Sequence, residues 1–496
     1  MSVAARTTLV LMSLVSSVGA RAAAETAAPY PAPPQRPRLA QTEQVVEAPP
    51  VRSTAPSPNA APPAPTEPPR QAGAVSPSPP ALQPVAAAAV AKPAPAMPKP
   101  VKVSSDPRPT LTPETFVATM RAADRYRQIA EAGGWPELPA GVSLKIGDRG
   151  ASISTLRRRL SATGDLPADA AVGELFDNVL LDAVKSFQAR HGLPETGLVA
   201  TRTLAALNVQ AEARARQLTA SAGRLMGSKF AFGERYVLVN IPSATAEAVQ
   251  GGMVVRRYVA VVGKPDRPSP TVETRITNIN FNPTWTVPVS LIKKDIIPHM
   301  RKDPGYLAKL KFHVLDAQGQ DVDPAKIDWG TEQAVNYTLR QEPGVSNSLG
   351  EVRIDMPNRH AVYMHDTPSK RLFARNIRFE SSGCVRVAGV RDLVAWLLDG
   401  TPLAAPASTP PSAEPAPSQN WTGAQVDAAI ASSKRQDVKL AKPVPVAWVY
   451  LTGYATPDGT VHFRDDPYNL DSPIEPKPEA SSTLDAAVTG SIARRP

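Results

Sequence analysis

The period of apolar and polar positions changes along the chain, and each change predicts a new element. From Thr112 the segment TPETFVATMRAADRYRQIAEAG sets Phe116, Met120, Ala123, Tyr126 and Ile129 near helical spacing. Thr112 as N-cap, Pro113 at the first position and Glu114 in the first turn mark its start, and Gly133-Gly134 its stop. Residues 144–209 repeat the pattern on shorter lengths: Ile153, Leu156 and Leu160 share one helical face, and Val184, Phe187 and Leu193 are the next apolar positions. Asp177 is an N-cap candidate there, Gly192 a stop, and Thr201 the start of a last short helix. From Arg235 the stretches RYVLVNIP, MVVRRYVAVVG and TRITNINFNPTWTVP alternate Val, Ile and Tyr with polar residues, punctuated by Pro, Gly and Asn, and predict strands. Ala361 with Tyr363, and Val385 with Val387, predict two more short strands joined by a polar connection from Asp366 to Ser382. The run AGVRDLVAWLLDG predicts a helix with Val390, Leu393, Val394 and Leu397 inward, ended by Gly400. A short helix around Ala424–Ser432 follows, and residues 443–466 predict a hairpin with Asp458-Gly459 in its turn.

Composition removes a large part of the chain from the folded account. The 496 residues leave room for two or three domains, but 55 are proline. Residues 25–111 are Pro/Ala-rich with few aromatics, too poor in apolar surface to fold, and predict a disordered, extended linker. Such a stretch is either a tether across an envelope layer or a tail with no specific partner. The first 24 residues carry Arg6, an apolar run from Thr7 to Ala20 and small residues at Ala20, Ala22 and Ala24, the pattern of a cleaved secretory signal. The run is short for a membrane span, so membrane attachment requires an uncleaved signal. A net charge of +10 invites a nucleic-acid partner. Export and the lack of a basic-aromatic motif argue against one, and an anionic polymer fits better. No Gly-rich phosphate loop, clustered metal ligands or CxxC pair occurs, so neither cofactor nor metal is expected. His191, alone in its module, reads as structural or exposed rather than as a ligand.

The chemistry concentrates between Tyr363 and Val387. Cys384 is the only cysteine, so no internal disulfide forms. A loop returning to a neighbouring strand brings His365 toward it, and a thiol beside an imidazole is the equipment of nucleophilic catalysis. Gly383 permits a tight turn that turns backbone N–H groups toward a developing oxyanion. Arg386, two residues beyond Cys384, shares its strand face and suits a substrate carboxylate. The plainer alternative is a buried cysteine and a satisfied core histidine. A second histidine, His360, differs from His365 by five positions and so points the opposite way on a strand. It falls in a turn after Pro357-Asn358.

The stretch resembles the active-site signature of the L,D-transpeptidases, a histidine followed after a loop by Ser-His-Gly-Cys and then Arg or Asn. His365, Ser381, Gly383, Cys384 and Arg386 fall on it, while Ser382 stands where many members have a second histidine. GGWP at 133–136 and the "G…L…L…G…D…AV..FQ..HGL" pattern of 144–209 are similar to the long Gram-negative form and its peptidoglycan-binding module. The resemblance implies an α+β multidomain protein. Its parts are a signal peptide (1–24), the linker (25–111), a helical scaffold segment (112–140) and a small helical peptidoglycan-binding domain (141–210). A β-rich catalytic domain (233–400) follows, with an inserted cap at about 288–340. A Pro-rich loop (401–420), a C-terminal helix and hairpin completing that domain (421–470) and a disordered tail (471–496) close the chain. It also implies a low-pKa Cys384 thiolate, His365 as base and the backbone N–H groups of Gly383 and Cys384 at the oxyanion site. Arg386, Arg340, Tyr363, Trp285 and Ser382 would bind substrate, with core packing the alternative for Trp285 and surface solvation for Arg340. His299 and His313 lie in the cap and are read as non-catalytic. The implied partners are donor and acceptor stem peptides of periplasmic peptidoglycan, with carbapenem β-lactams as covalent inhibitors. The same site would equally serve a carboxypeptidase or a protein-to-peptidoglycan ligase, and a degenerate one a silent wall-binding protein.

Overall fold

The computed structural model describes residues 100–403 and 420–471. The signal, most of the linker, most of the Pro-rich loop and most of the C-terminal tail lie outside the described residues. Among those described, no helix is long and apolar enough to cross a membrane.

The strand-rich body is a nine-stranded sheet whose order is β10-β3-β11-β9-β8-β4-β12-β1-β2. Its strands are β1 (Arg235–Asn240), β2 (Thr245–Gln250), β3 (Met253–Gly263), β4 (Val272–Phe281), β8 (Val352–Asp355), β9 (Met364–His365), β10 (Phe379–Ser381), β11 (Val385–Val387) and β12 (Gln436–Val449). β2 pairs with β3 as well as with β1, so the order returns on itself. Alternation puts one residue of each pair inside: Ile279, Ile354, Met364, Val385 and Val387 join one core with Val262 and Val446. Helices α9 (Val390–Leu398) and α10 (Gly423–Ala431) add Leu393, Val394 and Val426 to it. On β8, β9 and β11 the opposite set, offset by one residue, holds Arg353, His365 and Arg386 and carries the site.

The cap between β4 and β8 has its own core. Strands β5 (Trp285–Thr286), β6 (Phe312–Leu315) and β7 (Thr338–Gln341) form a three-stranded sheet in the order β5-β7-β6. Ile292, Ile296, Met300, Leu307 and Leu339 pack against it.

The module and the scaffold are helical. α1 (Thr115–Glu131) and α5 (Ala211–Leu225) pack against the hairpin of β13 (Gly453–Ala455) and β14 (Val461–Phe463), burying Tyr126, Trp135, Leu218 and Phe463 together. Between them α2 (Ala151–Ala162), α3 (Asn178–Arg190) and α4 (Thr201–Leu207) enclose Ile153, Leu156, Phe187 and Leu207. Asp177 caps α3 by accepting from Leu180 N–H at 2.9 Å. His191 is buried, its ring stacked between Phe187 at 3.7 Å and Phe463 at 5.4 Å, so it joins module to hairpin.

Four expectations need correction. Thr112 is not the cap of α1, which begins at Thr115 with no side-chain cap; the Thr112 N–H instead donates to Thr115 Oγ1. The linker reading extends too far, because residues 100–111 lie against the strand-rich body. Val101 N–H donates to Phe373 O, Val254 N–H donates to Pro107 O, and Thr110 N–H donates to Glu247 Oε2. Arg257, ion-paired with Glu247, donates to the carbonyls of Ser104, Asp106 and Arg108. A proline-rich chain keeps its acceptors, and here buried charges use them. Residues 443–449 are not half of a hairpin but the end of β12, which lies between β1 and β4; only Gly453–Phe463 forms the hairpin. Ala361 lies outside the strand, in a left-handed conformation at φ 53°.

Candidate active site

β9 and β11 run parallel with Met364 opposite Val385 and His365 opposite Arg386. Val385 N–H donates to Tyr363 O at 3.1 Å, which extends the register to Tyr363 beside Cys384. Residues in register share a sheet face, so Tyr363, His365, Cys384 and Arg386 project together. Antiparallel β8 adds Arg353, opposite His365, to the same row. The Arg353 guanidinium lies 4.3 Å from the centre of the Tyr363 ring, and that ring meets His365 edge-on at 5.7 Å. Burial raises the pKa of the Tyr363 hydroxyl, and the nearby Trp285 side chain, on the cap strand β5, opposes that rise, so the cap reaches the site.

His365 is buried, and its Nδ1–H donates to Asp366 O at 2.5 Å. A carbonyl only accepts, so in the neutral ring the basic nitrogen is Nε2. Burial, with help from the Arg386 and Arg353 charges, lowers the His365 pKa to about 3. Burial also raises the Cys384 thiol to about 11, against a backbone hydrogen bond from Tyr363 and the two arginines, which pull it down. The pair therefore rests neutral, and the expected low-pKa thiolate is not what this environment produces. No hydrogen bond joins the two side chains among the described residues.

The turn that carries Cys384 is fixed by its own backbone. Gly383 sits at φ 113°, a region closed to side chains by strain rather than by lack of space. Its N–H donates to Ser381 Oγ at 3.2 Å, and that hydroxyl donates to Cys384 O at 2.5 Å. The Gly383 N–H is thus engaged, contrary to the expected oxyanion role. The Cys384 N–H donates to no group among the described residues.

Two expected substrate residues lie apart from this row. Arg340 is on β7, paired with Glu342 at 3.1 Å. Ser382 is exposed and accepts from Arg267 Nη1 at 3.2 Å, and Arg267 also pairs with Asp295 of the cap at 2.7 Å. Half-buried His313 pairs with Asp321, and exposed His299 donates from Nδ1 to Asp295 O. His360 is exposed on its turn and receives a hydrogen bond from Arg359. Arg353 escaped the sequence reading; its alternation with Ile354 was visible, but not its register with His365. Among the described residues no group of three or more His, Cys, Asp or Glu is placed to hold a metal ion.

A closed mixed sheet presenting a thiol, an imidazole and two arginines beneath a cap defines a class of enzyme-like domain, and sequence comparison specifies it. Residues 234–404 match the L,D-transpeptidase catalytic domain (the YkuD family), and residues 149–207 match a domain described as "Putative peptidoglycan binding domain". Through residues 234–404 the chain is similar to the L,D-transpeptidases in its catalytic domain. A Haemophilus influenzae protein named "Putative L,D-transpeptidase" is 32% identical over 239 residues, 48% of this chain and 45% of its own length, so the chain spans just under half of that relative. Solved L,D-transpeptidase structures also match. That from Xylanimonas cellulosilytica is 18% identical with a TM-score of 0.17, over 53% of this chain and 94% of its own. That from Stackebrandtia nassauensis is 14% identical with a TM-score of 0.23, over 51% and 88%. Superpositions this loose add nothing to the assignment. The matched catalytic span ends before β12, yet β12 lies between β1 and β4 in the sheet.

Proposed function

We propose that the chain is an exported L,D-transpeptidase that forms 3→3 cross-links in peptidoglycan through a Cys384 thioester. The observation that carries this reading is the single row of Cys384, His365, Tyr363 and Arg386 on two parallel strands. His365 Nε2 takes the thiol proton as Cys384 Sγ attacks the carbonyl of an L,D-peptide bond in a donor stem. The tetrahedral intermediate collapses to a thioester as the imidazolium returns the proton to the departing D-residue amine. An acceptor-stem amine then attacks the thioester, forming the new amide and freeing the thiol. A neutral starting pair suits this sequence, because the proton moves as the bond forms and no desolvated charge has to wait beforehand. Arg386 and Arg353 stabilise the negative charge that develops on sulfur and serve substrate carboxylates. The helical module and the basic balance of the chain hold it on the anionic wall.

Incubation with purified sacculi, followed by mass spectrometry of digested wall fragments, tests the acceptor. Cross-linked dimers that vanish with Cys384→Ala are expected. Shortened stems alone would indicate a carboxypeptidase, protein-linked stems a ligase, and no change a silent binding protein.

A further inference from the structure

We propose that Tyr468, in the segment after the hairpin, is a positioning residue for the nucleophile turn and acts through Ser269. The inference rests on the reading of Cys384 as nucleophile. Gly383 C=O and Cys384 N–H belong to one planar trans peptide unit, so fixing the direction of the carbonyl fixes the N–H opposite to it. That N–H is the donor left for an oxyanion at the carbon attacked by Cys384. The Gly383 carbonyl accepts from Ser269 Oγ at 2.7 Å. Ser269 is buried, and its oxygen in turn accepts from Gly263 N–H at 2.9 Å, so its one proton is committed to Gly383.

Ser269 stands in the loop between β3 and β4, and this loop folds back tightly on Gly263. A Cβ there would lie 2.3 Å from Arg267 O and 2.4 Å from Ser269 N. The Tyr468 hydroxyl closes the loop from outside: it donates to Gly263 O at 2.7 Å and accepts from Ser269 N–H at 3.2 Å. One phenol thus satisfies a backbone group at each end of the loop that carries Ser269. Tyr468 is itself set by its ring, stacked on Tyr450 at 5.3 Å, and by its N–H, which donates to Tyr450 Oη at 2.9 Å. Tyr450 Oη donates to Asp466, which also accepts from Leu470 and Asp471 N–H and so knots the segment. The path from the C-terminal segment to the oxyanion donor runs through Tyr468, Ser269 and the Gly383–Cys384 peptide.

Tyr468→Phe keeps the stacking and removes only the bridging hydroxyl. In the full chain, the rate constant for carbapenem acylation of Cys384 at saturating reagent is expected to fall about tenfold or more, with the half-saturation concentration within about twofold of the parent. Ser269→Ala should act in the same way, and the double variant should be far less impaired than the product of the two effects, since both loosen one peptide. A purely structural role would lower the melting temperature and leave the rate constant of the folded protein unchanged. That result, or a change confined to half-saturation, overturns the proposal. If Tyr468→Phe does not yield folded protein by circular dichroism, Ser269→Ala alone decides by the same criterion. Acylation that persists in Cys384→Ala would instead overturn the assignment of the nucleophile.

Discussion

Half-buried Cys384 and buried His365 share one sheet face whose surroundings hold both neutral, and this sets the pH behaviour of the site. With the thiol pushed up to about 11, alkylation of Cys384 by iodoacetamide should climb by roughly tenfold per pH unit from pH 7 toward pH 10. A plateau beginning near pH 6 would show a preformed thiolate and contradict the neutral pair. Arg353→Ala removes a charge that favours the thiolate, so the same curve should shift to higher pH. His365→Ala should lower acylation by about a hundredfold or more, the scale of a lost general base, while His360→Ala on its exposed turn should leave the rate unchanged. Equal rates for the two variants in a stopped-flow assay would remove His365 from the mechanism. The residues of the motif were legible in sequence because they lie close along the chain. The rise of the thiol pKa was not, since burial under the cap and the approach of Arg353 depend on strand register. Gly383 was legible as a turn, but its N–H is taken by Ser381, a contact that spacing does not reveal.

At the scale of elements, the module's integrity depends on a buried ion pair. Arg190 and Asp165 are both sequestered, joined by two hydrogen bonds, and Arg190 also donates to Val461 O on the hairpin at 3.1 Å. Removing one partner leaves the other charge uncompensated. Asp165→Ala should therefore cost about 3–5 kcal/mol in urea unfolding. A loss under about 1 kcal/mol would mean that water or a neighbour replaces the carboxylate. The helices were readable where large apolar residues mark the face. α5 was missed because its inward positions, Ala211, Ala215, Leu218, Ala222 and Leu225, are mostly alanine, which carries helical spacing without a strong hydrophobic signal. The length of β12 is hard to see in sequence because Pro443 and Pro445 interrupt its strand pattern. A register shift between Lys439 and Val444 accommodates them in an interior strand.

For the whole molecule, acid lability follows from three buried histidines, His191, His365 and His462, whose pKa values all lie well below the ordinary value of 6.5. The unfolded chain binds protons at these positions near pH 6.5 and the folded chain does not. Stability is therefore full above that pH and is lost as the pH falls, at up to roughly 1.4 kcal/mol per pH unit for each histidine. The melting temperature should drop steadily from pH 6.5 to pH 5, and a flat profile there would show that these rings are protonated in the fold. Deleting residues 141–210 should weaken retention on purified sacculi, though it also bares Phe463, so retention is best compared with acylation of the same variant. Unchanged pull-down would leave the module without a binding role. The division into helical module and strand-rich body was visible from changes of period, whereas the cap was legible only through the family resemblance. The involvement of residues 100–111 was hidden by their proline-rich composition. The central claim is that Cys384 carries the acyl group, and intact-mass spectrometry after incubation with a carbapenem tests it most directly. One adduct per chain on the parent protein and none on Cys384→Ala is the predicted result; an unmodified parent protein that still cross-links sacculi would contradict it.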